Sequence, residues 1–279
     1  MSKSVLKQAM TPEVLNESWR RLRNEHTPWS PQVSRDQLQN HLVKYLLECR
    51  DDVLAATFRP LPLRQFPMKK PDGGQRVISA QYLRDKWVQR ALLIVLEPKA
   101  EARFHHDSYA YRPMRNVAMA LEKARERIRC GQDWLVDADI KRFFDTIPHR
   151  SLLKILRPFV NDAAAMALIE TFVKQGAHHN SLLSARRGIS QGAILSPLFC
   201  NLYLHAFDEA LAAANIPFVR FADDFLLFAT HREGALRAKT YAEQQLTALG
   251  LRMHQEKTQV VRTAPVVKFL GEPLPNPSR

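Results

Sequence analysis

The spacing of apolar and polar positions predicts a series of helices interleaved with short strands. Residues 1–34 are polar and broken by Pro12, Pro28 and Pro31, which predicts an N-terminal arm with one short helix over 12–24. From Ser34, apolar residues recur at helical spacing (Leu38, Leu42, Leu46 and Leu47) behind a Ser34 or Asp36 cap, and predict one helix through SRDQLQNHLVKYLLECRDDVLAATF. The run RPLPLRQFPMKKPDGGQRVIS then breaks the helical pattern with prolines and turns at Asp72, Gly73 and Gly74, which reads as a basic hairpin. Helices are predicted over 82–103, interrupted or kinked near Pro98, and over 115–129. WLVDADI is an apolar, β-prone run and reads as a buried strand ending in a charged turn. Helices near 149–158 and 162–176 follow, then a long amphipathic helix opened by Ser196 and Pro197. FVRFADDFLLFA reads as two strands around an acidic tip, and a helix over 232–249 stops at Gly250. TQVVRT and VVKFLG supply two further short strands. The pattern predicts an α+β fold around one mostly antiparallel sheet.

Composition adds a core and a charge problem. The 279 residues are 46% hydrophobic with only 9 Gly, which predicts a single compact unit and not a disordered chain. Lys and Arg exceed Asp and Glu by 41 − 28 = 13, an excess that serves either solubility or a polyanionic partner. Cys49, Cys130 and Cys200 lie far apart with no C-x-x-C pair, so neither a disulfide framework nor a cysteine zinc site is indicated. The N-terminus lacks the apolar core of a secretory signal, and no stretch reaches the about 18 apolar residues of a membrane span. The expectation is a cytoplasmic protein that does not engage a membrane.

The informative chemistry is acidic. Asp139 stands where an apolar strand gives out, and Asp223 and Asp224 form the tip of a hairpin flanked by hydrophobic residues. A lone Asp at a strand end is ordinarily a solvated turn residue, and an Asp-Asp pair an ordinary hairpin tip. Carboxylates brought together at such ends repel unless a divalent cation lies between them, and oxygen ligands of this kind suit the two-metal clamp of an in-line phosphoryl transfer. A third segment, RRGISQGAILSPLFCNLYL, runs a Gly-x-x-Gln-Gly loop into a helix start. Small residues there admit a flat partner such as a nucleotide, and Gln191 offers it both a donor and an acceptor.

Taken in order, these segments resemble the reverse transcriptases of the group II intron lineage. VDADIKRFFDTIPH resembles their motif A, RGISQGAILSPLFCNLYL motif B, RFADDFLLFA motif C, and GLRMHQEKT followed by VVKFLG the motif D and E region. Upstream, FPMKKPDGGQRVIS is similar to the fingers hairpin, LRDKWVQRALLIVLEP to the next block, and SYAYRPMRNVAMAL to the block with the Tyr-Arg-Pro signature. Together they span residues 60–271 or so.

The resemblance implies a right-hand polymerase fold. It divides the chain into an N-terminal arm (1–34), fingers (35–131), palm with motif A (132–148), fingers and palm helices (149–187), palm with motifs B to E (188–271) and a tail (272–279). Only EPLPNPSR follows VVKFLG, which implies a thumb absent or truncated and a grip completed by a bound RNA or by a partner protein, for example a CRISPR adaptation protein. Ala193 and Ile194 depart from the usual Gly and Val of motif B.

Residue by residue, the resemblance implies Asp139, Asp223 and Asp224 as catalytic ligands of two Mg²⁺, with Mn²⁺ a possible substitute, and Asp224 nearer the primer end. Phe144 matches the aromatic gate that blocks a ribose 2′-OH, with core packing beside Phe143 as the plain alternative. Lys69 and Arg76 match the triphosphate-holding fingers residues, Gln191 and Gly192 border the nascent base pair, and Lys257 matches the motif D lysine proposed to protonate pyrophosphate. Lys70, Arg84, Arg90, Arg112 and Arg115 are candidate contacts to nucleic acid, although Lys70 could be a solvated hairpin charge and Arg112 could equally brace the fold. The implied function is RNA-directed DNA polymerisation, with an RNA template, a DNA or RNA primer and dNTPs as partners. Two other readings stand beside it: a template-independent or protein-primed nucleotidyl transferase of a defence system, and an RNA-binding scaffold. His105, His106, His178 and His179 come as pairs without metal ligands in register and are read as structural.

Overall fold

The computed structural model describes residues 4–69, 75–176 and 186–277. In chain order its helices are α1 (Val5–Ala9), α2 (Pro12–Leu22), α3 (Arg35–Asn40), α4 (Leu42–Leu54), α5 (Leu83–Glu101), α6 (Val117–Arg129), α7 (Phe143–Thr146), α8 (His149–Val160), α9 (Ala163–Gln175), α10 (Ser196–Ala213) and α11 (Arg232–Ala248). Its strands are β1 (Arg64–Lys69), β2 (Gln75–Ala80), β3 (Trp134–Asp139), β4 (Phe218–Phe221), β5 (Asp224–Ala229), β6 (Gln259–Arg262), β7 (Lys268–Phe269) and β8 (Glu272–Pro273). Where the sequence predicts one compact unit, the chain divides into two: Met1–Ala102 with Pro148–Phe199, and Arg103–Ile147 with Cys200–Arg279. Among the described residues no helix is long and apolar enough to cross a membrane.

The first unit is mostly helical. Thr11 caps α2 and Pro12 opens it, within the helix expected over 12–24, but the segment packs against the rest of the unit. Leu15, Ser18 and Leu22 turn inward, Ser18 Oγ donates to the Trp87 carbonyl at 2.8 Å, and Trp87 Nε1 donates to the Leu15 carbonyl at 3.0 Å, fastening α2 to α5. Asp162, the N-cap of α9, also accepts from Ser4 Oγ at 2.6 Å and from the Leu6 amide at 3.0 Å, which ties in α1.

The single helix expected from Ser34 breaks at His41 into α3 and α4. Ser34 makes the anticipated cap, with a full capping box to Gln37. The expected Leu stripe does not form the buried face beyond Leu38: Leu47 is 51% exposed, and Cys49 and Val53 are buried in its place. α5 continues through Pro98 to Glu101. β1 and β2 pair antiparallel from Arg64↔Ala80 to Lys69↔Gln75, and Lys70 lies outside the described residues.

The second unit carries a four-stranded antiparallel sheet in the order β4-β5-β3-β6. Strand alternation sorts its residues. Leu135 on β3 and Leu226 and Phe228 on β5 share a face with α6, whose Ala120, Leu121, Ala124 and Ile128 complete a core with Tyr109 and Phe269. Phe225 turns to the opposite face and meets Phe207 of α10 edge-on at 5.3 Å. Because β5 is covered on both faces, Phe225 to Phe228 are all buried, which explains its continuous apolar run. All three cysteines are unpaired thiols, Cys49 and Cys200 buried and Cys130 exposed.

Candidate active site

Register puts the acidic residues together. Asp139, the last residue of β3, stands directly opposite Asp224, the first of β5, so both side chains leave the same face of the sheet. Phe221 pairs with Asp224, leaving Ala222 and Asp223 as a two-residue hairpin loop. Ala222 takes φ +60°, the left-handed conformation that such a tight loop requires of its first residue and that an alanine adopts only under constraint. The Ile140 amide donates to the Asp223 carbonyl at 3.3 Å, fastening the tip to the exit of β3.

The constraint on the tip comes from Arg220, a fully buried arginine of β4 that the apolar reading of FVRFADD passes over. Its Nε and Nη2 form a bidentate pair with Asp208 of α10 at 2.7 and 2.6 Å. Its Nη1 donates to the Ala222 carbonyl at 3.0 Å and to Asn201 Oδ1 at 3.2 Å, and Nη2 also donates to Ser108 Oγ at 2.8 Å. The strained loop is therefore hung from a buried, charge-neutral network. The signal available in the sequence was a lone arginine inside an apolar strand.

The tip itself is not neutral. Lys257 Nζ donates to Asp139 Oδ2 at 2.8 Å, and the charge of this exposed ammonium also acts on Asp223 and Asp224. The loop bearing it is stitched to the end of β3, with the His254 amide on the Asp139 carbonyl at 2.8 Å and the Lys141 amide on the Arg252 carbonyl at 2.9 Å. Partial burial pushes the Asp224 carboxyl up to about 6, and the charges of Asp223 and Asp139 add to the push against the pull of Lys257. Asp223 is raised as well, by burial and by Asp139. The hydrogen bond to Asp139 holds Lys257 above its ordinary value. Asp137, on the same face of β3 as Asp139, is raised by burial, while Gln259 donates to it at 3.1 Å and opposes the shift. Asp139, Asp223 and Asp224 stand near enough for their charges to act on one another, and carboxylate oxygens are donors of the kind a hard divalent cation takes.

The other sequence candidates sort as follows. Phe144 belongs to the same unit as the acids, half-buried on α7 just after Asp139 and edge-on to Phe143 at 5.7 Å. Gln191 and Gly192 belong to the first unit, in an exposed turn with Gly192 at φ +97°. This loop presses on the end of α9, where a Cβ on Gly176 would lie 2.3 Å from the Ser190 amide nitrogen, so glycine is required. Lys69 and Arg76 occupy β1 and β2 of that unit.

Arg84 pairs with Asp85 at 3.3 Å, donates to the Arg59 carbonyl and lies over the Phe58 ring. Arg90 is partly buried, and loss of hydration lowers its pKa. Arg112 is the brace of the two readings considered: it is only 8% exposed and donates to the carbonyls of His105 and Ser108 at 2.7 and 2.6 Å. Arg115 is less committed, donating to the His106 carbonyl at 2.5 Å across the Tyr109 ring.

His105, His106 and Asp107 bring possible ligand atoms within 4.8 Å. The Asp107 carboxylate accepts from Arg127, and His105 Nδ1 accepts the Asp107 amide at 3.1 Å, commitments that favour a structural role. His178 and His179 lie outside the described residues.

Comparison with known proteins agrees with this geometry. The profile of the family described as reverse transcriptase (RNA-dependent DNA polymerase) matches residues 68–274. The chain is 36% identical over 191 residues to protein YkfC of Escherichia coli (strain K12), covering 67% of this chain and 50% of that one. It is 31% identical over 187 residues to the group II intron-encoded protein LtrA of Lactococcus lactis subsp. cremoris, covering 66% of this chain and 31% of that one. It thus spans half or less of the length of these curated relatives. A chain of the partial Cas6-RT-Cas1–Cas2 complex superposes with a TM-score of 0.53 at 21% identity, over 89% of this chain and 42% of that one, a likeness of fold.

Proposed function

Because this chain belongs to the reverse transcriptase (RNA-dependent DNA polymerase) family, we propose that it extends a primer 3′-OH with dNTPs on an RNA template, at a centre built from Asp139, Asp223 and Asp224. The observation that carries the reading is the pairing of Asp139 with Asp224 across β3 and β5, with Asp223 in the adjoining loop. It concentrates negative charge at one strand end, where a protein with no cation to bind has no use for it. Asp139, Asp223 and Asp224 would hold two Mg²⁺, or Mn²⁺ in their place, which when bound would supply polarisation of the attacking hydroxyl and offset charge on the phosphate.

The chain's own residues position the reactants. Asp139 and Asp223 are the principal ligands, and Asp224 faces the primer end. Phe144 closes the space beside the incoming sugar and disfavours a 2′-OH. Lys69 and Arg76 hold the triphosphate, and Gln191 with Gly192 borders the nascent pair. Lys257, which donates to Asp139 at 2.8 Å, would give its proton to the departing pyrophosphate. Arg84, Arg90 and Arg115 are the proposed contacts to template and primer, as is Lys70, which lies outside the described residues. Positioning and electrostatic stabilisation carry most of the catalysis.

In this reading β1, β2 and the surrounding helices form fingers and the four-stranded sheet forms the palm. The name of the Cas6-RT-Cas1–Cas2 neighbour supports a CRISPR adaptation protein as the class of partner, in the cytoplasm. The test is incorporation of dTTP by the purified chain on poly(rA)/oligo(dT) with Mg²⁺, beside Asp223→Asn. The expected result is template-dependent extension that the variant abolishes. Incorporation whose sequence ignores an added template supports a template-independent transferase instead, and equal, negligible incorporation by both proteins supports an RNA-binding scaffold.

A further inference from the structure

Tyr111 has a place in the fold that the site described above does not use. The segment leading to it lies parallel to β4, with Ser108 bridged to Arg220. The Arg220 amide donates to the Asp107 carbonyl and the Tyr109 amide to the Arg220 carbonyl, both at 2.9 Å. Asn201 Nδ2 then fixes the Ala110 carbonyl at 2.8 Å. Because the two segments run in the same direction, the one ends at Tyr111 beside the end at which β4 reaches Ala222 and Asp223. The phenol accordingly feels its surroundings: burial raises its pKa first, and Cys200, Asp223 and Asp224 add to the shift.

Two further features mark the residue. Its φ is +60°, a left-handed conformation that is strained for an aromatic residue, and the residue is 51% exposed. Glycine would hold the same backbone without strain. A large ring retained there, half in water and beside carboxylates that offer it no hydrophobic cover, has its apolar face open to a partner. The backbone beneath is held by buried Arg112, so the ring is presented on a fixed support.

We propose that Tyr111 is a primer contact, its ring packing against the sugar and base edge of the primer's terminal nucleotide. This rests on the polymerase reading. The primer is favoured over the incoming nucleotide because Tyr111 lies on the side of Asp223 and Asp224, whereas Phe144 follows Asp139 at the exit of β3. A nucleotide offers the aromatic face or edge that such a ring recognises, largely without regard to sequence.

The test measures binding of a fluorescent oligo(dT) primer annealed to oligo(rA), by anisotropy with Mg²⁺ and no dNTP, together with the KM for dTTP in extension. The proteins are the full chain and its Tyr111→Phe, Tyr111→Ala and Tyr111→Gly variants. Phe is expected to bind like wild type, while Ala and Gly both weaken Kd by about tenfold with KM for dTTP little changed. Gly relaxes the backbone and Phe preserves the ring, so the comparison survives an Ala variant that fails to fold. Wild-type affinity in the Gly variant overturns the inference, since the ring is then dispensable. A loss confined to KM for dTTP also overturns it, by moving the contact to the incoming nucleotide. A wild type that neither binds nor extends the primer overturns the polymerase reading, and this inference with it.

Discussion

Two charged clusters lie three residues apart on one hairpin and are built on opposite terms. At Arg220 the charge is fully buried and fully matched, with a bidentate carboxylate and further partners on the backbone, an amide and a hydroxyl. At Asp223 and Asp224 the charge is partly exposed and opposed by Lys257, whose side chain is 61% exposed and which pairs with Asp139, and for Asp223 also by the field of Arg220. Buried ions persist when each finds its partners, because an unmatched one is costly. Unmatched carboxylates at a strand end are costly too, and a fold that keeps them is poised to gain from an added cation. The first cluster fixes where the second stands, since the Ala222 carbonyl hangs from Arg220.

The comparison breaks most visibly under substitution. On the proposed polymerase reading, Asp223→Asn is expected to lower primer extension by about 10³-fold, with no loss of thermal stability, because it removes a proposed metal ligand and a repulsion together. Rate and melting temperature measured on the same preparation check this.

Asp208→Ala is expected to cost about 3–5 kcal/mol in denaturant unfolding, since it strands a buried guanidinium. An Asp208→Leu/Arg220→Met double variant recovers much of that stability. It does not recover extension, because nothing then holds the Ala222 carbonyl.

Phe144→Ala sharpens the comparison from the Asp139 side. It is expected to reduce discrimination between dTTP and UTP by on the order of 10- to 100-fold, read from the ratio of kcat/KM values. Unchanged discrimination assigns Phe144 to packing on Phe143.

The smallest expected effect is on pH. The folded Asp224 carboxyl is held at about 6, above the about 3.9 of an unfolded chain, so its proton is bound more tightly in the folded state. The penalty of ionising it is therefore fully present above pH 6 and relieved as pH falls from 6 toward 4. Relative to Asp224→Asn, the metal-free wild type is expected to gain about 1 kcal/mol over that interval, a figure kept small because solvent screens the group. Denaturant unfolding of the two proteins at pH 7 and pH 4.5 checks the sign.

Much of this arrangement was legible in the chain. Thr11 with Pro12, the Ser34 capping box and the Gly250 stop mark helix ends through local chemistry, and the acids stand out because they interrupt apolar strands. What the chain does not display locally is tertiary. The break at His41 has no proline or glycine to announce it, and the burial of Cys49 and Val53 in place of Leu42, Leu46 and Leu47 is decided by neighbours in space. Lys257 meets Asp139 across 118 positions, and Ser108 meets Arg220 across 112. Arg112, read from the sequence equally as a nucleic-acid contact or a brace, is drawn inward to two carbonyls whose position local periodicity could not give. The division into two units likewise follows from long-range packing and not from a linker.

The most direct test of surplus charge at the hairpin tip is the thermal melting of wild type and Asp223→Asn with and without Mg²⁺. Without the ion, the variant is expected to melt at or above the wild-type temperature. With Mg²⁺ at about 100 times its Kd, the wild type is expected to gain about 2.7 kcal/mol and the variant far less. A variant that is less stable without the ion and gains as much with it contradicts the account.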